Sequence, residues 1–243
     1  MEGIVRARRD WANGLMSLTV EAALPTFSPG QFVNISLSRG GNTVRRAYSF
    51  ASAPGELAEF YVSEVPGGAL TPTLFGLQVG DSLSIDGRPQ GFFTLEWVPP
   101  AEVLWMLATG TGLAPFLSML RSGQAQARFR RIVLVHSARH VQELSYAEQL
   151  AQLAQNSSCH ITVLRTVTRE ACEVPILSGR ITSLFNSGEL EARAGTALLP
   201  TGHVMLCGNP GMIDEMTALL ATRGLRRHRV RSPGHITSER YWD

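Results

Sequence analysis

The chain is poor in cysteine and has no long apolar run. Its three cysteines, Cys159, Cys172 and Cys207, are odd in number, widely spaced and outside any metal-ligand spacing. The sequence therefore predicts no metal site and a reducing compartment. No apolar stretch is long enough for a signal peptide or a membrane span. We expect a soluble cytoplasmic protein with no membrane association.

Net charge is also small, at +2 over 243 residues. This balance argues against a bulk nucleic-acid binder, and the 44% hydrophobic and 17% charged content argues against disordered and fibrous classes. The length allows two domains of ordinary size. Basic residues are densest near the C-terminus, where they can steer an acidic protein partner or serve only solubility: Arg223, Arg226, Arg227, Arg229 and Arg231.

The first part of the chain alternates short apolar strands with Gly and Pro turns, which predicts an antiparallel barrel or sandwich. The predicted strands are residues 3–9, 15–21, 31–37, 45–52, 59–65 and 82–86. One helix is expected to begin near Thr71, with Thr71 as its N-cap and Pro72 in the first helical position.

A break in this rhythm between Gly87 and Glu102 predicts a domain boundary, which we place between domains 1–98 and 99–243. Compact apolar runs then alternate with helical segments, a pattern typical of a doubly wound α/β domain with a parallel sheet. The predicted strands are 103–108, 132–136, 160–167 and 204–207, and the predicted helices are 115–121, 143–155, 181–187 and 212–223.

In the first domain, the segment Arg46-Ala47-Tyr48-Ser49 combines a cation, an aromatic ring and a hydroxyl on one predicted strand. Alternation along a strand places Arg46 and Tyr48 on one face and Ala47 and Ser49 on the other. Such a strand end can meet both a phosphate and a flat polar ring. An ordinary amphipathic strand with an exposed arginine is the alternative.

Small residues from Gly67 to Pro72 precede the predicted helix of the first domain, and their free amides suit a pyrophosphate. A capped turn without a ligand is the alternative.

In the second domain, Gly110-Thr111-Gly112 follows the first strand and opens a helix, with Pro115 where a third glycine of a dinucleotide loop would fall. A nucleotide-binding turn and a merely structural turn both remain open.

Three arginines, Arg139, Arg169 and Arg180, follow strand ends, and no acidic residue ends the second strand. This pattern favours NADP over NAD, although each arginine alone reads as a solvated surface residue.

The last strand ends at Cys207-Gly208-Asn209-Pro210, which can sit against a nicotinamide ring, or Cys207 can be a small buried hydrophobe. Nothing in the sequence indicates a nucleophilic thiol. Tyr241 and Trp242 lie within three residues of the end and are expected to dock on a flat or apolar surface.

Taken in order, Arg46-x-Tyr48-Ser49, Gly68-x-x-Thr71, the Gly110 turn and the Cys207 segment resemble the ferredoxin-NADP reductase family over essentially the whole chain. With the terminal aromatic pair, the resemblance is to its bacterial ferredoxin/flavodoxin type. It implies an antiparallel FAD-binding barrel followed by an NADP-binding α/β domain. It also implies hydride transfer from NADPH to flavin N5 and single-electron delivery to ferredoxin or flavodoxin.

The resemblance also implies the residue roles. Arg46 would contact the FAD pyrophosphate, Tyr48 would stack on the isoalloxazine, and Ser49 would bond near N5, with Ala47 in the same segment. Ser49 and Cys207 would align the reacting groups as the catalytic pair. The remaining implied cofactor contacts are Ala69, Leu70, Thr71, Thr111, Arg139, Thr168, Arg169, Arg180, Gly208, Asn209, Pro210, Tyr241 and Trp242.

Two departures from the family pattern stand out: no basic residue precedes Gly68, and Asp243 extends past the aromatic pair. We expect a monomer that binds ferredoxin or flavodoxin through Arg226, Arg227, Arg229 and Arg231. The alternatives are an NADH-using flavin reductase or oxygenase reductase component, and a non-catalytic flavin- or nucleotide-binding regulatory subunit.

Overall fold

The computed structural model describes residues 1–39 and 42–241, and the chain divides into two compact units. Unit 1 comprises Met1–Thr94 together with Ala114–Ser122. Unit 2 comprises Leu95–Leu113 and the chain from Gly123 onward. The first crossing, between Thr94 and Leu95, lies inside the segment where the sequence rhythm breaks.

Unit 1 is built on an antiparallel sheet with the strand order β4-β3-β6-β1-β2-β5. Its strands are β1 (Glu2–Ala12), β2 (Leu15–Glu21), β3 (Phe32–Arg39), β4 (Asn42–Ser49), β5 (Ala58–Ser63) and β6 (Ser82–Ile85). A bridge between Phe50 and Phe60 joins the end of β4 to β5, so the two edge strands meet as in a barrel. Phe50 and Phe60 belong to the apolar core inside this sheet.

Between β5 and β6, unit 1 forms helix α1 (Thr71–Gly76). The prediction of Thr71 as N-cap was wrong: Leu70 holds that position and makes no side-chain cap. The Thr71 hydroxyl instead accepts from the Val65 amide at 2.9 Å and donates to the Val65 carbonyl at 3.2 Å. Because the hydroxyl is bonded to the preceding turn, it does not cap the helix.

Unit 2 is built on a parallel sheet with the order β10-β9-β8-β7-β11-β12. Its strands are β7 (Val103–Thr109), β8 (Arg131–Ala138), β9 (His160–Val167), β10 (Ile176–Ser178), β11 (His203–Gly208) and β12 (Ile236–Arg240). The order runs outward in both directions from β7, so the carboxyl ends of β7 and β11 form the topological switch point. The doubly wound α/β prediction is confirmed.

The helices of the rest of the chain are α2 (Ala114–Arg121), α3 (Gln124–Arg128), α4 (Ala147–Gln155), α5 (Ile181–Asn186), α6 (Glu189–Ala194) and α7 (Pro210–Thr222). The predicted helix from Glu143 was wrong at its start. Val141–Glu143 is a separate 3-10 turn, and buried Tyr146, with a φ of 62°, precedes α4. No helix among the described residues has the length and apolarity needed to cross a bilayer.

Helix α2 follows β7 in sequence but is part of unit 1. Phe116 packs against Phe93 with ring centroids 5.6 Å apart. Arg121, at the end of the helix, donates to the Ala51 carbonyl at 2.8 Å and to the Glu59 carboxylate at 2.7 Å. Its guanidinium is largely buried there, so this pair ties the helix to the barrel strands.

Candidate cofactor-binding sites

In unit 1, the candidate flavin segment is the last half of edge strand β4. Tyr48 pairs with Val33 and Arg46 with Ile35, and both partners are fully buried. Residues directly opposite one another share a sheet face, so Arg46 and Tyr48 lie on the core-side face. Ser49 pairs with Phe32 on the other face, as the alternation predicts.

The side chains of Arg46, Tyr48 and Ser49 differ in their exposure to solvent. Arg46 is exposed and donates to the Arg45 carbonyl at 2.8 Å, while Tyr48 is half-buried against the apolar core. Burial raises the pKa of Tyr48 to about 12, partly opposed by the charge of Arg46, so the phenol is neutral. Ser49 is buried at the strand end. The segment thus offers an accessible cation beside a fixed aromatic ring.

The turn before α1 is closed tightly enough to require glycine at position 68. A Cβ there would lie 2.8 Å from the Val65 carbonyl oxygen and 3.1 Å from the Thr71 hydroxyl. The amides of Thr73 and Leu74 both donate to the Leu70 carbonyl. Within the described residues the amides of Ala69 and Leu70 have no acceptor, so they are the donors of this turn that a phosphate could take.

In unit 2, the carboxyl ends of β7 and β11 approach each other more closely than side chains would allow. A Cβ on Gly112 would lie 2.5 Å from the Cys207 carbonyl oxygen. A Cβ on Gly208, whose φ is +120°, would lie 2.3 Å from Thr109 Oγ1. The Asn209 amide donates to the same Thr109 hydroxyl at 2.7 Å. Two glycines therefore let the backbone itself form the floor of the switch point.

Residues on both sides of this floor are fixed from within unit 2. Asn209 caps α7 by accepting from the Met212 amide at 3.1 Å, and Pro210 opens the helix. Thr111 lies buried in the 3-10 turn Gly110–Leu113. Position 111 is thus held by the same turn that places Gly112 against Cys207.

Cys207 is fully buried, and burial together with Glu239 raises the pKa of its thiol well above the usual value, against a smaller opposing effect of a hydrogen bond with Tyr241. The thiol is neutral, in line with the absence of a nucleophilic role. Tyr241 follows β12, and its amide donates to the Gly208 carbonyl at 3.3 Å. The prediction for Trp242, and the added Asp243, fall outside the described residues.

Sequence reasoning missed His136, which is fully buried in β8. Its Nε2 donates to the Gly110 carbonyl at 3.2 Å, which ties the neighbouring strand to the glycine turn. Burial lowers the pKa of His136 to about 4 despite this hydrogen bond, so the ring is neutral. A histidine inside an apolar strand, Ile132 to His136, was the available signal.

The arginines expected at a 2′-phosphate follow three neighbouring strands, at the same edge of the sheet as the switch point. Arg139 follows β8, Arg169 follows β9 and Arg180 follows β10. The Arg169 amide donates to the Arg139 carbonyl at 2.9 Å, and Thr168 bonds to the Ala138 carbonyl through both its amide and its hydroxyl. The structure therefore brings Arg139, Thr168 and Arg169 together.

The second basic group precedes β12, which is the outermost strand on the side of the sheet opposite β10. We call residues 226–231, between α7 and β12, the arginine loop; it bonds to the start of β12 through His228 and Ile236. Arg226, Arg229 and Arg231 are exposed and form no ion pair with any described residue, whereas Arg227 lies 3.7 Å from Asp214. Asp214 lies one turn into α7 and also pairs with Arg240, which is opposite Gly208 in the sheet, so Arg227 reaches the side of the switch point.

Comparisons with known proteins show the family of the chain. Models of an oxidoreductase FAD-binding domain and an oxidoreductase NAD-binding domain match residues 8–95 and 106–218. A flavodoxin/ferredoxin-NADP reductase of Escherichia coli (strain K12) is 42% identical over 243 residues, covering 99% of this chain and 98% of that protein. The chain belongs to the ferredoxin-NADP reductase family.

Two further relatives of the reductase family extend this likeness. A flavodoxin/ferredoxin-NADP reductase of Rhodobacter capsulatus is 33% identical over 97% of this chain and 91% of its own length. A solved ferredoxin-NADP reductase from Neisseria gonorrhoeae, with bound FAD and NADP, superposes with a TM-score of 0.93 at 30% identity, covering 100% of this chain and 98% of that one. The family resemblance and fold predicted from the sequence are confirmed.

Proposed function

We propose that this reductase takes electrons from NADPH and passes them through FAD to ferredoxin or flavodoxin. The observation that carries the proposal is the 42% identity, across nearly the full length, to a flavodoxin/ferredoxin-NADP reductase. When bound, FAD supplies the chemistry, because a flavin accepts two electrons as a hydride and releases them one at a time. The protein supplies binding, orientation and exclusion of water.

The residues of unit 1 fit the two ends of such a cofactor. Exposed Arg46 offers a guanidinium fork to the pyrophosphate, and half-buried Tyr48 offers a fixed ring for stacking. Ala47 and Ser49 complete the segment, and we assign the Ser49 hydroxyl to the N5 edge. The cradle closed by Gly68 presents the amides of Ala69 and Leu70, while Thr71 contributes by holding the turn closed.

The residues of unit 2 fit a nicotinamide nucleotide at the switch point. Thr111, Gly208, Asn209 and Pro210 surround a floor made of backbone, which allows close approach of a flat ring. Cys207 contributes a neutral buried thiol beneath that floor. Arg139, Thr168, Arg169 and Arg180 would hold the adenosine 2′-phosphate, and this cationic edge is the reason for proposing NADP rather than NAD.

In the same proposal, Tyr241 and Trp242 stack on the flavin or its adenine, and the enzyme is a cytoplasmic monomer. The arginine loop (Arg226, Arg227, Arg229 and Arg231) docks the acidic electron carrier. Supporting this role, all four arginines are exposed, and Arg226, Arg229 and Arg231 form no ion pair with any described residue. These are not the arginines assigned to the 2′-phosphate, so in this proposal the carrier and NADP use different cations.

Stopped-flow reduction of the anaerobic holoenzyme tests the nucleotide assignment. We expect faster flavin bleaching with NADPH than with NADH, and Arg169→Ala should reduce this preference about tenfold because one phosphate contact is lost. Arg193→Ala, an exposed arginine on α6, is the matched control and should change nothing. Equal rates with both nucleotides in the parent protein would contradict the assignment.

Salt titration of reoxidation by ferredoxin and flavodoxin tests the docking role. Reoxidation by carrier proteins should slow steeply with ionic strength, and Arg229→Glu with Arg231→Glu should slow it further, while ferricyanide is affected much less. Arg130→Glu with Arg193→Glu, at two exposed arginines outside the loop, makes the same change in net charge and is the control. If the double variant and its control respond alike, the arginine loop is not the docking surface.

A further inference from the structure

One arginine of the 2′-phosphate group already has an acidic partner. Glu143 is the last residue of the 3-10 turn after β8, and its Oε1 lies 2.8 Å from Arg139 Nη2. Arg139 Nε lies 3.1 Å from Oε1 and 3.3 Å from Oε2, and the Arg139 amide donates to Oε2 at 2.9 Å. The carboxylate therefore binds the guanidinium edge formed by Nε and Nη2, which is the edge that a phosphate would also use.

The pair is better fixed than an ordinary surface ion pair. The Glu143 side chain is only 14% exposed, whereas that of Arg139 is 61% exposed. Partial burial raises the pKa of the Glu143 carboxyl, but the hydrogen bonds and charge of Arg139 outweigh it and hold the pKa below its usual value. The carboxylate is thus a built, ionised partner on the protein side, and the guanidinium faces solvent.

The other two arginines of the group differ. Arg169 and Arg180 are exposed and have no ion pair with any described residue. The acidic neighbour Glu170 is turned to the 3-10 segment, where it accepts from the Val141 amide and lies 3.9 Å from His140 Nδ1. Of these three arginines, Arg139 is therefore the one whose charge is partly neutralised by a carboxylate of the described residues.

We propose that Glu143 limits the affinity for 2′-phosphorylated nucleotides by competing with the phosphate for the guanidinium of Arg139. The inference rests on the proposed function, in which these arginines bind the 2′-phosphate. A phosphate must displace Glu143 from the Nε and Nη2 edge of Arg139, or bind an arginine whose positive charge is already partly neutralised. In both cases the carboxylate lowers affinity for nucleotides that carry the 2′-phosphate and leaves those without it unchanged.

Calorimetric titration of the FAD-loaded protein with adenosine 2′,5′-bisphosphate and with adenosine 5′-monophosphate tests this inference. Glu143→Gln should tighten the bisphosphate about three- to fivefold, the range of a surface charge pair, and leave the monophosphate within twofold. Gln keeps an oxygen for the Arg139 amide. Glu148→Gln, an exposed glutamate in the first turn of α4, removes the same charge and should change neither ligand.

A double-variant cycle gives the second readout. In an Arg139→Gln background, Glu143→Gln should have no further effect on bisphosphate binding, because the contested group is gone. Weaker bisphosphate binding by Glu143→Gln, or equal tightening of both ligands, would overturn the inference. If the parent protein and Arg169→Ala both fail to prefer the bisphosphate, the proposed 2′-phosphate site itself fails, which is a separate result.

Discussion

The two units prepare their candidate sites in opposite ways. In unit 1 the site is carried by side chains on an edge strand, where Arg46 is exposed and Tyr48 half-buried. In unit 2 it is carried by backbone at the centre of a parallel sheet, where Gly112 and Gly208 remove the side chains. A substitution on the edge strand removes ligand contacts but leaves the sheet intact. An atom added where two backbones approach closely forces the packed backbone to move.

The units also differ in their titratable groups. All six histidines lie in unit 2, and His136 and His203 are buried there with lowered pKa values, whereas unit 1 contains none. Buried neutral imidazoles make a fold sensitive to acid because the unfolded chain takes up the protons that the folded chain excludes. The parallel sheet should therefore be the acid-labile part of the molecule.

The largest effect is expected from adding one methyl group at the switch point. Gly112→Ala would place a Cβ 2.5 Å from the Cys207 carbonyl oxygen, so the turn after β7 must move away from β11, at a cost of about 2–4 kcal/mol of unfolding free energy. Gly76→Ala in α1 is the matched control, since a Cβ there meets nothing within 4 Å. Urea unfolding compares the two. Equal stabilities would refute the close approach.

A smaller effect per group is expected from acid, about 2 kcal/mol for each of two histidines between pH 6.5 and pH 5. The pKa is about 4 for His136 and about 3 for His203, both lowered chiefly by burial, against 6.5 in the unfolded chain. Above pH 6.5 both states are neutral; below it only the unfolded state gains protons, so stability falls by about 1.4 kcal/mol per pH unit and histidine until the folded pKa is reached.

Hydrogen exchange at pH 7 and pH 5, corrected for the intrinsic rates, should show this loss in β7, β8 and β11 and not in β2 or β5. His203→Gln should reduce the loss, since one of the two titrating groups is removed. Equal loss of protection in both sheets would show that acid acts on the whole chain and not through the buried histidines.

The smallest of these effects is expected in unit 1. Thr71→Val removes the hydroxyl that bonds both the amide and the carbonyl of Val65, which should cost about 1–2 kcal/mol and weaken FAD retention. Thr71→Ser keeps the hydroxyl and should retain both properties. Thermal unfolding and the fraction of flavin kept after gel filtration are the measurements. Indistinguishable Val and Ser variants would remove Thr71 from the cradle.

Prediction from the sequence succeeded where the pattern is local and repeated. Strand β2 matches residues 15–21, and strand β9 matches residues 160–167. It missed β10 and β12, because a three-residue strand and the polar segment Ile236–Arg240 lack a buried apolar run. The predicted strand over residues 45–52 stops at Ser49, because Phe50 and Ala51 turn to meet β5.

Within the candidate sites, residue types were predicted better than their partners. Arg139 and Arg169 were named from strand ends and lie together, but nothing along the chain showed that Glu143 holds Arg139 or that Val65 holds the Thr71 hydroxyl. His136 was missed because its bond to Gly110 joins neighbouring strands. Hydrogen bonds of this kind depend on geometry that single-sequence patterns do not contain.

The sequence by itself determined the two kinds of sheet and the turns that carry glycine, because periodicity and turn chemistry act between near neighbours. Its motifs also resemble the family to which the chain belongs. Only the tertiary structure decided that α2 packs in unit 1, that Arg227 of the arginine loop lies near Asp214 on α7, and that Gly112 meets Cys207. These outcomes follow from packing and strand order, which join residues far apart in the chain.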